Sequence, residues 1–549
     1  MYFLKKGDYL TLIKSFFYPF LILFSFYLTF KSGQRGFFPF DQSIVFDGAY
    51  RIICGQIPYR DFVIPIGPVT FYIQALFFRI FGVNYFSYIL SAACLNVAGA
   101  VCAALILRIL FPEKRILSYI AGIITSIWFC PIHGTFYYDQ LAFFFCSLTV
   151  VIMLYISKLS DINLAQKKVL VFLCGCISFI AFITKQNAGL ISLIFCIIFF
   201  VAISFPFAKK SCRNILIFFS GYALSAIVFI VWLFRVSRID IFMRHFFAIP
   251  ARTGFLRIFD NPYDFLKIVI FGAGQLLAAN IIFVSMIISV FIIFYHFKIP
   301  GKHSANRRRN ITACFICIYF VLFQNLFIAT TYNEPENSLV FMGIIFAVAL
   351  GVLIDNYSLL SSTRKDTRPV PGFIIIGILV LGICAEGMYV SLSRYVQNGF
   401  KGSSFPKNVA IKKLSNLKWG KPTRINGEGV TVDEADFLNT HNFLKKSKKN
   451  FFIFPDYTIF YGLLNVPSPQ PLVWFHRGLT YPFDYDVKVD NWIVGGLKNN
   501  SIEFIIIEED SFIGSQKRLS HFPELARYIS SKFTKDRSFG IFSVYRRKR

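Results

Sequence analysis

The sequence predicts a polytopic α-helical membrane protein of about eleven spans, followed by a C-terminal extracytoplasmic α/β domain. Three observations lead there. The 549 residues are 56% hydrophobic and only 16% charged, where a soluble chain carries about 25% charged residues. The apolar residues fall in long runs such as 189–207 and 268–294, and roughly 20 apolar residues match the bilayer core. From about Arg394 the composition turns polar. The last of the 12 cysteines is Cys384, so this region is expected to fold on its own hydrophobic core rather than on disulfides.

Spans are predicted near 11–30, 84–111, 114–131, 136–157, 168–184, 189–207, 214–234, 267–294, 311–330, 338–355 and 372–393. The first run lacks an A-x-A cleavage pattern before Lys31 and reads as a retained helix. One set of connections collects Lys5, Lys6, Lys14, Lys114, Arg115, Lys158, Lys167, Lys168, Lys209, Lys210, Arg213, Lys298, Lys302, Arg307, Arg308, Arg309, Arg364, Lys365 and Arg368. The positive-inside rule makes that set cytoplasmic, with the N-terminus inside and the C-terminal domain outside. The net charge of +28 then follows from basic loops, and no nucleic-acid partner is needed to explain it. Residues 68–82 are apolar but reach only about 22 Å as a helix, short of a roughly 30 Å core. They read as a short interfacial or re-entrant helix on the outer side. The organisation is therefore 1–393 in the membrane, with a first outer loop at 31–83, and 394–549 outside. In the outer domain 451–454, 504–507 and 541–545 read as buried strands. Thr431 to Glu434 has capping-box spacing and should open a helix to about Lys446. A second helix is expected over 523–533, and no internal repeat is found.

The polar constellations all lie at outer connections. In "FDGAYRIICGQIPYRDFVIPIGP", residues 46–68, a short helix over 43–54 places Asp47, Tyr50, Arg51 and Cys54 on one face. The alternative is a solvated amphipathic connector with an internal ion pair. His133, Tyr137, Tyr138 and Asp139 gather at the next outer mouth, as metal or substrate contacts or as a helix cap with belt aromatics. Lys185 and Asn187 occupy the third outer turn, where a lysine either snorkels to lipid phosphates or grips a ligand's phosphate. The long outer loop 235–267 adds Arg244, His245, Arg252 and Arg257. Glu334 and Glu336 begin a later helix, where acids also suit the helix dipole. Few ionisable groups fall near mid-span, against an ion or proton pathway.

Residues 46–82 resemble the first outer loop of GT-C glycosyltransferases, especially the bacterial protein-mannosyltransferase-like and RgtA/B/C/D-like group. The "G..pY.df" element, the proline turn, Tyr138-Asp139, the "K..gl" element at 185–190 and an outer α/β domain are similar too. The resemblance implies inverting transfer of a sugar from a polyprenyl-phosphate donor to a lipid, glycan or protein acceptor at the outer face of a bacterial plasma membrane. It implies Asp47 as general base, with Arg51 and Lys185, then Arg60, at the leaving phosphate. Tyr50, Tyr59, His133, Tyr138, Asn187, Glu334 and Glu336 become substrate contacts. Many relatives have Asp-Glu where this chain has Asp47-Gly48. Asp41, Asp61 or Asp139 could supply the second acid, which leaves the identity of the base open. No cofactor is required, although Asp41, Asp47 and Asp139 could hold a divalent cation. A lipid-linked glycan flippase and an O-antigen ligase or polymerase are the competing readings; a transporter would favour internal repeats and a midplane site.

Overall fold

The computed structural model describes residues 6–37, 39–158, 164–204, 208–272, 276–298, 304–331, 338–360, 370–397, 408–419, 432–509 and 514–549. The apolar runs form helices in the order the hydropathy predicts. The first half comprises α1 (Lys6–Gly33), α2 (Pro39–Ile53), α3 (Val69–Phe81), α4 (Tyr85–Leu110), α5 (Arg115–Trp128), α6 (Tyr138–Lys158), α7 (Leu164–Thr184), α8 (Gln186–Ser204) and α9 (Ala208–Val236). Then come α10 (Ile239–Phe242), a π-helical turn (Met243–Ala248), α11 (Ile249–Phe259), α12 (Pro262–Phe271), α13 (Leu277–Lys298), α14 (Ser304–Thr331), α15 (Met342–Leu360) and α16 (Val370–Gln397). Among the described residues eight helices are long and apolar enough to cross a membrane: α1, α4, α6, α7, α9, α13, α14 and α16. Helices α5, α8 and α15 fall short by that measure and occupy the other three predicted positions.

Two predictions change. The run at 267–294 is broken, because Gly272 (φ 79°) closes α12 in a conformation that disfavours side chains. Across the break, both carboxylate oxygens of Glu386 accept bonds from the Leu277 and Ala278 N–H groups at 2.8 Å and cap α13 from a neighbouring helix. The segment expected as a long loop is instead α10, the π-helical turn, α11 and most of α12. Helix α3 behaves as its length demands. It buries Thr70, Phe71, Gln74, Ala75 and Phe78 and exposes Tyr72, Leu76 and Ile80.

The C-terminal layer contains α17 (Glu434–Ser447), β1 (Phe451–Phe454), α18 (Ile459–Leu464), α19 (Val487–Asn499), β2 (Phe504–Glu508), α20 (Ser515–Leu519), α21 (Pro523–Lys532), β3 (Phe533–Phe539) and β4 (Phe542–Arg547). Its sheet runs β1-β2-β4-β3, with β1 parallel to β2 in the register Phe451↔Phe504 and the other pairs antiparallel. Strand β3 was missed because Thr-Lys-Asp-Arg-Ser reads as polar loop; it is an exposed edge whose charges discourage further pairing. The α17 start is as expected, but Asp433 is its N-cap and makes no side-chain cap bond; Thr431 lies outside the described residues.

This layer has one core around Phe452, Phe454, Ile505, Ile507, Val489 and Leu525, into which the first outer loop inserts Val63. A second core is shared with the membrane helices: Phe437, Phe451, Tyr457 and Phe460 join the same cluster as Phe37, Phe46 and Tyr88. Each fully buried side chain there contributes roughly 1.5–3 kcal/mol. The layer is therefore fastened to the bundle through α2 and does not rest wholly on a core of its own.

Candidate active site

Helix α2 positions the first carboxylates, and it lies sandwiched rather than on a surface. On one side Phe46 packs edge-on against Phe78 at 4.9 Å and Tyr88 at 5.8 Å. On the other, α18 approaches so closely that a Cβ on Gly462 would meet the Phe46 ring at 2.6 Å and the Tyr50 ring at 3.3 Å. The Asp47–Arg51 pair predicted from helical spacing is present, with Nε to Oδ2 at 2.9 Å, but both side chains are 0% exposed. Arg51 also donates to the Gln470 carbonyl at 2.6 Å and to Ser468 Oγ at 2.5 Å, and it lies over the Phe62 ring. Burial pushes the Asp47 carboxyl up to about 6 against the pull of Arg51. The carboxylate is fully covered in this packing, and among the described residues its Oδ1 has no hydrogen-bond partner. The expected base and phosphate anchor thus form an internal strut that joins α2 to residues 468–470.

The other first-loop candidates also make contacts within the fold. Tyr59 is fully buried at φ 63°, and its hydroxyl donates to the Ile66 carbonyl at 2.5 Å. Arg60 and Asp61 form an exposed pair at 2.8 Å, and Asp61 also accepts from the Ile57 N–H at 2.7 Å. These bonds set the turn that aims residues 62–68 back at the bundle. There Gly67 abuts the Ile183 carbonyl at the end of α7, where any Cβ would collide. Tyr50 is buried under α18.

Nearly two turns earlier on α2 the surroundings differ. Asp41 lies in the helix's first turn and is half-buried. Burial and the nearby Asp139 raise its carboxyl to about 7, opposed by a hydrogen bond from Tyr137 and by Lys185. Asp139, at the start of α6, is ion-paired with Lys185. The Lys185 ammonium sits 4.8 Å from the ring centres of both Tyr138 and Phe327. Tyr137 and Tyr138 share a hydrogen bond at 2.7 Å, and His133 stacks on Tyr137 at 4.4 Å. Gln42 donates to the His133 carbonyl at 3.2 Å, which ties α2 to this turn.

Lys185 is the single residue between α7 and α8, and its neighbours hold it there. Gln186 donates to the Pro65 carbonyl at 2.8 Å and to the Phe246 carbonyl at 2.6 Å. Asn187 donates to Thr330 Oγ1 at 3.0 Å and accepts from the Ala188 N–H, so it braces α14. Arg257, from α11, donates to the carbonyls of Thr330 and Thr331 at 3.0 and 2.7 Å. It stands within electrostatic reach of Lys185 and of His476 in the C-terminal layer. Asp456 reaches Asp41 in the same way, while its own carboxylate is held bidentately by Arg518 at 2.6 Å.

The structure therefore brings together Asp41, Asp139, Lys185, Tyr137, Tyr138, His133 and Arg257 on the face that carries the C-terminal layer. It leaves Asp47, Arg51, Tyr50, Tyr59, Arg60 and Asp61 outside that cluster. Glu334 and Glu336 lie outside the described residues. The cation set expected from Asp41, Asp47 and Asp139 is not assembled: among the described residues no three or more His, Cys, Asp or Glu side chains gather as metal ligands. Arg257 is legible in sequence only as one of several loop cations, since nothing there says which would turn inward.

The bundle, its helical outer loop and the capping α/β layer define the class: a GT-C-like membrane fold. The particular likeness is to ArnT from Cupriavidus metallidurans bound to undecaprenyl phosphate, at 11% identity and a TM-score of 0.51 over 98% of both chains. The apo state of that ArnT also matches, at 12% identity and a TM-score of 0.47, again over 98% of both chains. No family model and no curated protein matches the sequence.

Proposed function

We propose that this chain is an integral membrane glycosyltransferase that moves a sugar from a polyprenyl-phosphate-linked donor to an acceptor at the outer membrane face. The observation that carries the reading is one juxtaposition within a GT-C-like fold: two carboxylates, Asp41 and Asp139, meet two cations, Lys185 and Arg257. The undecaprenyl phosphate bound by the structurally similar ArnT supports a lipid-phosphate donor. The loop charge supports the outer face and a cytoplasmic N-terminus.

In this reading Asp41, not Asp47, is the general base. The residue is less completely covered than Asp47, and burial with the nearby Asp139 raises its carboxyl to about 7, near working pH, where a base is most effective. The acceptor hydroxyl gives its proton to Asp41 as its oxygen attacks the anomeric carbon. The bond from that carbon to the phosphate oxygen breaks, and the developing charge falls to Lys185 and Arg257. Asp139 holds the Lys185 ammonium in place before the donor arrives. A single displacement inverts the sugar carbon.

The test is to incubate purified protein with radiolabelled polyprenyl-phosphate sugars and a panel of lipid, glycan and protein acceptors. Labelled product that depends on Asp41 is expected. Absence of transfer with every donor, alongside flux of lipid-linked substrate across proteoliposomes, would replace the enzyme by a transporter.

A further inference from the structure

The end of the bundle opposite this cluster carries a different arrangement. Helices α13 and α15 leave between them a groove of about 260 Å³, lined by Ile288, Phe291 and Tyr295 on one side and Leu353 and Asn356 on the other. Its mouth is open, for Ile287 and Phe291 are more than half exposed. In a membrane protein this mouth faces hydrocarbon, so the matching occupant is an acyl chain.

Polar groups converge where the groove ends. His296, next to Tyr295, is nine-tenths buried, and among the described residues its Nε2 has no hydrogen-bond partner. Arg307 at the start of α14 stands within electrostatic reach of it. Asp355, next to Asn356, is held by both Lys114 and Arg309, the latter at 2.6 Å. Lys158 lies within reach of Arg309 and of Glu113. Among the described residues this rim gathers Lys114, Lys158, Arg307 and Arg309 with the carboxylates Asp355 and Glu113. The excess is positive, and a single aspartate shared by two cations leaves that pair with charge to spare. An apolar slot running to a basic rim matches the two halves of one kind of molecule.

We infer that this groove and its basic rim form a binding site for an anionic phospholipid of the leaflet opposite the transfer site. The acyl chain lies between α13 and α15, and the phosphate meets Arg307 with His296 beside it. The loop charge assigns this leaflet to the cytoplasm, where anionic headgroups attract basic residues near the surface. The site stands apart from the transferase reading and holds whether or not that reading survives.

The test uses the full-length protein in nanodiscs of phosphatidylcholine alone or mixed with phosphatidylglycerol. Lipid retained after gentle extraction is counted by native mass spectrometry. Phosphatidylglycerol should be retained at one molecule per chain, in preference to phosphatidylcholine. Arg307→Gln should weaken retention about fivefold, while Arg307→Lys keeps most of it. Ile288→Trp fills the groove without touching charge and should release the lipid. Size-exclusion elution of each variant separates lost lipid from lost fold, with Ile288→Phe as the milder groove variant. Equal retention of both lipids, or undiminished phosphatidylglycerol in the folded Arg307 and Ile288 variants, overturns the inference.

Discussion

Helix α2 presents a carboxylate in its first turn and another two turns later, and their neighbourhoods are opposite. Asp47 is sealed between α18 and the α3–α4 layer, with Arg51 donating to it and to residues 468–470. Asp41 looks into a cluster drawn from α6, the α7–α8 junction and α11, where Asp139 stands near it as a like charge and Lys185 as an opposite one. Burial with a dedicated partner makes a carboxylate structural. Partial burial beside a like charge leaves it a proton to exchange. The contrast shows that an ion pair at helical spacing says nothing of exposure, which is set by residues about 420 positions further along the chain.

Exchanging the roles of the two carboxylates is the sharpest way to break this comparison. Asp41→Asn should lower turnover about 10²–10⁴-fold, the usual contribution of a general base, with little change in donor KM. Asp47→Asn should leave turnover per folded molecule near wild type. The wild-type kcat/KM should rise with pH through about 7, because the raised Asp41 carboxyl accepts a proton only when ionised. That limb should vanish in the residual activity of Asp41→Asn. Loss of turnover in a well-folded Asp47→Asn, with Asp41→Asn active, would invert the assignment.

The converse belongs to stability. Arg51→Met leaves Asp47 buried without its cation and should cost about 3–5 kcal/mol, read as a fall in the thermal unfolding midpoint. Asp47→Leu combined with Arg51→Met should recover part of that loss, since apolar replacement of a whole buried pair is often tolerated. An Arg51→Met protein as stable as wild type would mean that the strut carries no weight.

Much of the fold was legible because hydrophobic runs and loop charge are local signals. Helices α2 and α3, most of the span positions, β1, β2 and β4 follow from them, and so does the clustering of polar residues at one end, whereas the 267–294 run is broken at Gly272. What the sequence withheld is long-range. Asp47 could not be recognised as buried without α18 and residues 468–470, and Arg257 could not be separated from Arg244 and Arg252. Both of those arginines turn out to pair with Asp486 and Asp484 in the C-terminal layer. Strand β3 was hidden because an edge strand shows no apolar alternation. Lys185 and Asp139 were named separately, and only the packing of α6 on α7 makes them a pair.

Within the open cluster, Lys185→Met removes one of the two cations proposed for the leaving phosphate. A charged hydrogen bond is worth about 1.5–3 kcal/mol, so kcat/KM for the donor should fall roughly 10–100-fold. Lys185→Arg should recover part of it, because the charge is kept while the short reach to Asp139 changes. An unchanged donor kcat/KM in Lys185→Met would reduce Lys185 to a snorkelling residue and leave Arg257 as the phosphate contact.

Glu508 offers a third carboxylate environment, buried with no cation bonded to it among the described residues. Its Oε1 accepts from the Asp456 and Tyr457 N–H groups at 2.7 and 2.8 Å, and burial beside Asp456 lifts the carboxyl to about 8. The folded-state value lies above the unfolded one near 4.5. The stability this group confers is therefore present below about pH 4.5 and lost as pH rises through about 8. Glu508→Gln keeps an oxygen acceptor for both N–H groups and carries no proton to lose. Its effect at pH 5 should stay below about 1 kcal/mol, the smallest of these changes, and its unfolding midpoint should fall less than that of wild type between pH 5 and 8. Parallel pH profiles for the two proteins would mean that Glu508 is ionised in the fold. The Asp456–Arg518 pair would then be neutralising two carboxylates rather than one.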